Sequence, residues 1–260
     1  MKFILPKSTD KRFAYLATKA KEAGFDVLEY TERVPAQKGV FLFPLGANEE
    51  YCLSALSHVT EQSIVFVGKA TEVVKAFAKE KNIRLFSLLE RERYLTKNAE
   101  HTAEGALAQI LAETDRRLDE LCFLIYGYGN CGRAIARSLW LCGAEIWVWS
   151  RRRGQALAAR DGFNVFPVPE KGLGMFDGVI NTVPDPIFST ELLSTMQPNS
   201  IFFQIASGFS GIDPKTSEQT GIRFVPLHGL PGKFCPASDA DAIWEEIEHS
   251  LTELSNRSTL

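Results

Sequence analysis

Three glycines at a fixed spacing are the first residues in this chain that could do chemistry. Gly127, Gly129 and Gly132 follow an apolar run that ends at Tyr126, and a segment with helical spacing comes after them. A strand, a tight glycine turn and a helix bind the pyrophosphate of a dinucleotide, because the backbone can approach the phosphates and the helix offers free N–H groups. The spacing therefore predicts a dinucleotide site formed by Gly127, Tyr128, Gly129, Asn130, Cys131 and Gly132.

The end of the next apolar run indicates which dinucleotide binds. Ile146–Trp149 is followed by Ser150, Arg151, Arg152 and Arg153. An acidic residue here would bind the ribose 2′-hydroxyl of NAD, whereas arginine suits the 2′-phosphate of NADP. The pattern predicts NADP in preference to NAD, and the alternative is a solvated charge run after a strand.

Cys131 has two interpretations, because a helix N-terminus can lower the pKa of a thiol. A small turn residue that faces phosphate is the favoured one.

Polar turns after the later strands are candidates for the reacting end of the site. Ligands of open parallel sheets bind beyond the carboxyl ends of the strands. The turns there contain Asn181, Thr182, Val183 and Pro184, then Ser207, then His228. The first two groups would frame a nicotinamide. His228 could be a general base, a substrate ligand or a surface residue, and ordinary turn chemistry is the alternative for all of them.

The elements that position these residues alternate between strands and helices. The early strands are predicted at 2–5, 26–29, 39–43, 63–67 and 83–86, with helices at 11–23, 49–56 and 71–81. From residue 121 the strands are predicted at 121–126, 145–149, 164–166, 178–182, 200–206 and 223–226. This alternation predicts an α/β fold with parallel sheets. We expect two domains: an N-terminal α/β domain over 1–100 and a Rossmann domain over 101–260. The second would include a linking helix at 102–115 and a C-terminal helix at 239–254 that packs on a core.

Composition excludes several classes of function. The net charge is −3 and no basic stripe is present, so nucleic-acid binding is not expected. No apolar run reaches the ~18 residues that a membrane crossing needs, and the N-terminal apolar stretch is too short for a signal peptide. The five cysteines are scattered without metal-type spacing, so we expect no metal and a reducing cytoplasm.

Motifs spread over nearly the whole chain resemble one family, the A subunit of dipicolinate synthase. They are Pro44-Leu45-Gly46-Ala47-Asn48-Glu49-Glu50, Leu89-Glu90-Arg91, Thr102-Ala103-Glu104-Gly105, Gly127-Tyr128-Gly129-Asn130-Cys131-Gly132, Ile180-Asn181-Thr182-Val183-Pro184, Ile205-Ala206-Ser207 and Gly229-Leu230-Pro231-Gly232. The resemblance implies a small α/β domain, a linking helix and a Rossmann domain, with the active cleft between the domains. It implies oxidation of dihydrodipicolinate, a small carboxylated cyclic substrate, to dipicolinate with NADP⁺. It also implies a flavoprotein-like B subunit as partner and the cytoplasm of a sporulating bacterium. A homo-oligomer is expected for this type of fold.

The substrate side of the site has its own candidate residues. Thr102, Glu104 and His228 are the candidates, although Thr102 could instead cap the linking helix and Glu104 could favour its dipole. The chain departs from the family at Gln204, where the family usually has Asp, and it lacks lysines after Ser207 and Pro236. Lys233 is a candidate to replace one of them. The lost lysines leave two further hypotheses open: another NADP-dependent dehydrogenase on this scaffold, or a non-catalytic subunit that binds the cofactor.

Overall fold

A computed structural model describes residues 1–167, 172–185, 187–206 and 220–258 of the chain. The chain divides into two compact units. Met1–Asn98 and Pro231–Leu260 form the first unit, and Ala99–Leu230 forms the second. No helix in these described ranges combines the length and the apolar character that a membrane crossing requires.

The first unit contains a five-stranded parallel sheet with the strand order β2-β1-β3-β4-β5. Its strands are β1 (Lys2–Pro6), β2 (Asp26–Tyr30), β3 (Val40–Leu42), β4 (Ile64–Val67) and β5 (Arg84–Ser87). The helices between them are α1 (Lys11–Glu22), α2 (Glu49–His58) and α3 (Glu72–Glu80). Asp10, Asn48 and Thr71 cap these three helices, because each side chain accepts a backbone N–H of the first turn.

The second unit is built on a six-stranded parallel sheet with the order β11-β10-β9-β6-β7-β8. The chain enters through α4 (Glu92–Glu113) and continues as β6 (Cys122–Tyr126), α5 (Asn130–Leu141), β7 (Glu145–Trp149), α6 (Arg152–Arg160), β8 (Asn164–Val165), β9 (Gly178–Asn181), α7 (Thr190–Leu193), β10 (Ile201–Gln204) and β11 (Arg223–Pro226). The order reverses between β6 and β9, which are neighbours in the sheet but not in the chain. This reversal is the Rossmann topology, and ligands of such sheets bind beside it.

Each face of the second sheet is buried under helices or loops. Phe123, Ile125 and Ile180 belong to one apolar cluster, and Leu124, Val179 and Phe202 belong to another. Neighbouring residues along a strand point to opposite faces, so the near-continuous apolar runs of these strands fill both clusters. The α/β class with parallel sheets is therefore confirmed.

The linking helix begins ten residues earlier than the sequence pattern indicates, at Glu92 rather than Thr102. The first turns of the helix are mostly polar, and there Tyr94 is buried in an apolar cluster of the first unit. Ala103, Ala106 and Ile110, further along the helix, are buried in a cluster of the second unit. Thr102 is consequently an interior helical residue, so its interpretation as a helix cap is wrong. Glu104 lies well beyond the first turn, where a helix dipole no longer acts on it.

The C-terminal helix packs with the first unit rather than with the Rossmann unit to which the sequence pattern assigned it. The chain leaves the second unit through α8 (Leu230–Phe234) and ends in α9 (Pro236–Ser258). Trp244 of α9 meets Phe3 of β1 edge-on, with ring centroids 5.5 Å apart. Arg12 of α1 donates a 2.7 Å bond to the buried Asp239 carboxylate. Apolar spacing shows that a helix is amphipathic, but it does not show which sheet covers it.

Candidate dinucleotide site at the carboxyl ends of the second sheet

The glycine turn joins β6 to α5 at the reversal of strand order. Gly127 adopts a φ of +92°, which side-chain-bearing residues rarely adopt. A Cβ on Gly132 would overlap the carbonyl oxygen of Gly127, so the third glycine is needed for close packing of α5 on the turn. The turn therefore has the local geometry that the glycine spacing predicts.

The N-terminus of α5 is open to an anion. Its N-cap is Gly129, which supplies no side-chain hydrogen bond, in contrast to the capped helices of the first unit. A Cβ built on Gly129 meets no atom within 4 Å, so space lies directly beside the first-turn N–H groups. Uncapped N–H groups with free space in front of them suit the pyrophosphate of a dinucleotide.

The side chain of Tyr128 points away from this space and ties the turn to α6. Its hydroxyl donates a 2.9 Å hydrogen bond to Asp161 at the end of α6, and Arg133 of α5 binds the same carboxylate at 2.7 Å. Burial raises the pKa of Tyr128, and the hydrogen bond to Asp161 raises it further, so the hydroxyl stays a donor. Tyr128 thus has a structural role, and only its backbone faces the anion space.

The arginine cluster surrounds the N-terminus of α6. Arg151 is the N-cap without a side-chain hydrogen bond, and Arg152 and Arg153 are the first helical residues. All three are exposed, and within the described ranges none of their side chains forms an ion pair. Three cations at the positive end of a helix are unfavourable on their own, but they favour an anionic ligand. Ser150 lies over this turn, where its hydroxyl occupies the place of a Cβ on Gly154.

The turn after β9 packs directly on the glycine turn. The Thr182 hydroxyl donates to the Tyr126 carbonyl at 2.9 Å, and a Cβ on Gly127 would overlap both Thr182 and Val183. Asn181 is fully buried and Pro184 is exposed. The structure therefore brings 181–184 beside 127–132, but the side chains of Asn181 and Thr182 are used to hold the turn. Ser207, the other residue predicted there, lies outside the described residues.

Aromatic side chains that the sequence patterns did not single out flank the arginine end. Tyr126 and Trp149 are register partners on β6 and β7, with ring centroids 4.6 Å apart, and Phe188 meets both edge-on. Burial raises the pKa of Tyr126, the charge of Asp185 raises it further and Arg151 opposes them. The one available signal was that Tyr126 and Trp149 each end a strand immediately before a predicted binding turn.

Cys131 is not an activated thiol. Burial raises its pKa, and this effect outweighs the opposing hydrogen bond from Thr102. Thr102 of α4 therefore contacts the glycine-turn helix, which joins one predicted substrate residue to one predicted cofactor residue. The pairing leaves Cys131 as a small, partly buried residue of the turn.

The other substrate-side candidates are more scattered. Glu104 and His228 are exposed residues of the second unit, whereas Lys233 is an exposed residue of the first. Among the described residues, no group of three or more His, Cys, Asp or Glu side chains could hold a metal ion.

The strand order and the glycine turn define a Rossmann fold. The chain is homologous to the A subunit of dipicolinate synthase: it is 26% identical to that protein of Bacillus subtilis strain 168 over 222 residues, which cover 80% of this chain and 72% of the relative. No protein-family model matches the chain.

Two solved structures show how far the fold extends. The A subunit of dipicolinate synthase from Bacillus halodurans superposes with a TM-score of 0.83 at 22% identity. The superposition covers 96% of this chain and 97% of the Bacillus halodurans chain. A D-isomer specific 2-hydroxyacid dehydrogenase of Lactobacillus delbrueckii, in its NAD-complexed form, superposes with a TM-score of 0.67 at 11% identity and covers 98% of both chains. The chain therefore shares the architecture of dehydrogenases as well as that of its homologue.

Proposed function

We propose that this chain is an NADP-dependent oxidoreductase that resembles the A subunit of dipicolinate synthase in activity and oxidises dihydrodipicolinate to dipicolinate during sporulation. The observation that carries the proposal is that two helix N-termini lack a side-chain cap: that of α5, with Gly129 as N-cap, and that of α6, with Arg151 as N-cap. The first suits a pyrophosphate and the second, with its arginines, suits a 2′-phosphate. The homology to dipicolinate synthase supports the choice of reaction.

The residues of the chain would bind and orient the cofactor. The N–H groups of the first turn of α5 would hold the pyrophosphate, and Ser150 with Arg151–Arg153 would hold the 2′-phosphate. Thr182 and Val183, fixed against Gly127, would bound the nicotinamide end together with Asn181, Pro184 and Ser207. When bound, NADP⁺ supplies the hydride acceptor for this reaction.

The substrate side needs donors for two carboxylates and a group that takes up a proton. We assign the carboxylate role to Lys233 and the proton role to His228, both of which are exposed. Glu104 is a second candidate for the proton. Thr102 contacts Cys131 and is buried, so it would act on the glycine turn rather than on the substrate.

The homology supports a proposal about the setting of the protein. The relative is named as one subunit of a synthase, which supports a second polypeptide as partner, and we propose a flavoprotein-like B subunit in the cytoplasm. A homo-oligomer of the chain itself is proposed on the fold type alone.

Titration of the purified protein with NADPH and NADH tests the cofactor proposal. We expect NADPH to bind at least about tenfold more tightly, since the 2′-phosphate gains charge-assisted bonds. Replacement of Arg151, Arg152 or Arg153 by Gln, one at a time, should identify the residues responsible by loss of that preference. Arg160→Gln is the matched control, because Arg160 lies at the opposite end of α6. Equal affinity for both cofactors would exclude NADP specificity.

Turnover tests the reaction itself. The protein is incubated with dihydrodipicolinate and NADP⁺, with and without a B-type partner, and dipicolinate is measured. Tight NADPH binding without dipicolinate formation in either mixture would exclude this substrate and favour a different one on the same scaffold.

A further inference from the structure

The last residues of five neighbouring strands form one row across the second sheet. Register pairs Trp149 with Tyr126, Tyr126 with Asn181, Asn181 with Gln204 and Gln204 with Pro226. Residues in register on a parallel sheet share a face. The row therefore has an aromatic half, formed by Trp149 and Tyr126. Its amide half is formed by Asn181 and Gln204, at the strands that precede the turns proposed to bind the nicotinamide.

The amide half is buried and hydrogen-bonded. Asn181 is 0% exposed and Gln204 is 3% exposed. The Asn181 amide N–H donates to the Gln204 Oε1 at 3.0 Å, and the Asn181 Oδ1 accepts the backbone N–H of Val183 at 3.0 Å. The bond to Val183 fixes the turn that packs on Gly127.

The Gln204 amide fixes the next turn. Its N–H donates to the backbone carbonyl of Ala206 at 3.0 Å, and the backbone N–H groups of Ile205 and Ala206 both reach the Asn181 carbonyl oxygen. The bonds thus run from Val183 through Asn181 and Gln204 to Ala206. They connect the two turns that follow β9 and β10.

We propose that Asn181 and Gln204 are positioning residues that must both be neutral amides. They hold in place the turns that would bind the nicotinamide, and they do not affect binding of the adenosine end of the cofactor. The inference rests on the proposed function and deepens it. Each amide supplies an acceptor on one side and a donor on the other, and the chain of bonds needs both. A carboxylate at either position could accept but not donate.

The isosteric change Gln204→Glu tests the requirement for a donor. When protonated, the substituted carboxyl group would donate to the Ala206 carbonyl as the amide does, whereas its ionised form would direct a carboxylate oxygen at that carbonyl. Burial raises the pKa of a carboxyl group, so ionisation should occur above the ordinary value of about 4.3. Tyr126, the neighbouring titratable group in the row, has a raised pKa and stays neutral in the same range.

The experiment compares two ligands at pH 5 and pH 8: NADPH, and 2′,5′-ADP, which lacks the nicotinamide. For Gln204→Glu we expect native NADPH affinity at the lower pH and a loss of about tenfold relative to the native protein at the higher one, the effect of an unmatched buried acceptor. Affinity for 2′,5′-ADP should equal that of the native protein at both pH values. Equal weakening of both ligands would mean a merely structural role and would overturn the proposal.

Gln204→Met provides a second variant without an ionisable group. It removes the bonds from the Gln204 side chain to Asn181 and Ala206, so NADPH binding should weaken about tenfold at both pH values while 2′,5′-ADP binding does not change. If both variants bind NADPH with native affinity at both pH values, the role of Gln204 would be overturned but the proposed function would stand. Failure of the native protein to bind either ligand would instead overturn the proposed function.

Discussion

The hydroxyl of Tyr128 lies 2.9 Å from the Asp161 carboxylate, and this bond joins the glycine turn to the far end of α6. The helix whose N-terminus holds the arginines is thereby fixed at its other end to the turn that would hold the pyrophosphate. The bonds that Tyr128 and Arg133 make to Asp161 therefore fix the distance between the two proposed phosphate sites.

Tyr128→Phe should lower the free energy of unfolding by about 1–2 kcal/mol, since it removes a hydrogen bond to a charged acceptor while the ring stays packed. Urea unfolding measures the change. Tyr15→Phe on the exposed side of α1 is the control, and it should leave stability within about 0.5 kcal/mol of the native value. Equal effects of the two substitutions would show that the bond to Asp161 contributes nothing.

Two glycine substitutions separate binding from folding. Gly129→Ala places a methyl group in open space in front of α5, so NADPH binding should fall by at least about tenfold while the melting temperature stays near the native value. Gly132→Ala should lower both, because its Cβ overlaps the Gly127 carbonyl. Titration and thermal melting of both variants check this, and undiminished binding by Gly129→Ala would rule out a pyrophosphate at this turn.

A buried and an exposed aspartate of α9 should differ sharply in their contribution to stability. Asp239→Asn weakens the pairing of a fully buried carboxylate with Arg12 and should lower the free energy of unfolding by about 3 kcal/mol. This value is at the lower end of the losses expected for broken buried ion pairs, because Asp10 still binds Arg12. Asp241→Asn removes an exposed pair with Lys19 and should cost less than about 1 kcal/mol. Urea unfolding of both variants measures the difference, and similar losses would contradict the assigned burial.

Acid should destabilise the protein through Asp10. Burial alone would raise the pKa of Asp10, but the hydrogen bonds and charge of Arg12 outweigh burial and hold the pKa below its ordinary value of 3.8. The folded state then binds fewer protons than the unfolded state, so this stabilisation is present above pH 3.8 and is lost as the pH falls through the folded-state value.

Melting temperatures of the native protein and Asp10→Asn between pH 6 and about pH 3 test the linkage. Asparagine keeps the helix cap but cannot titrate. We expect the gap between the two proteins to narrow on acidification, and a gap that is constant with pH would disprove the shift.

Alkylation should distinguish the cysteines. Cys142 is exposed, whereas burial raises the pKa of Cys131 and raises that of Cys122 to about 12. Because the thiolate is the reactive form, iodoacetamide at pH 8 should modify Cys142 well before the other two. Mass spectrometry after timed quenching gives the order, and early modification of Cys131 would restore the activated-thiol interpretation.

Local patterns predicted most of the elements because glycines, caps and apolar runs act over a few residues. The strands of both sheets and the turn at Gly127–Gly132 were all available from such patterns. The start of α4 was not, because Glu92–Asn98 is mostly polar. Tyr94 is the one buried residue of this segment, so the segment shows no helical spacing of apolar residues.

Contacts distant in sequence were out of reach. The residues around Asp239 do not indicate that it binds Arg12. Those around Thr102 do not indicate its hydrogen bond to Cys131. Asn181 was selected for the cofactor, but its fully buried side chain joins Gln204, a partner 23 residues away. Polar residues at strand ends look alike in sequence whether they face a ligand or each other.

The first unit is assembled from both ends of the chain, and this has a consequence for synthesis. On the ribosome, β1–β5 emerge long before α9, so the face that Trp244 covers stays open while the whole second unit is made. The second unit is contiguous and can complete its own sheet in that interval. The contact that closes this face of the first sheet is therefore made only after the whole second unit has been translated.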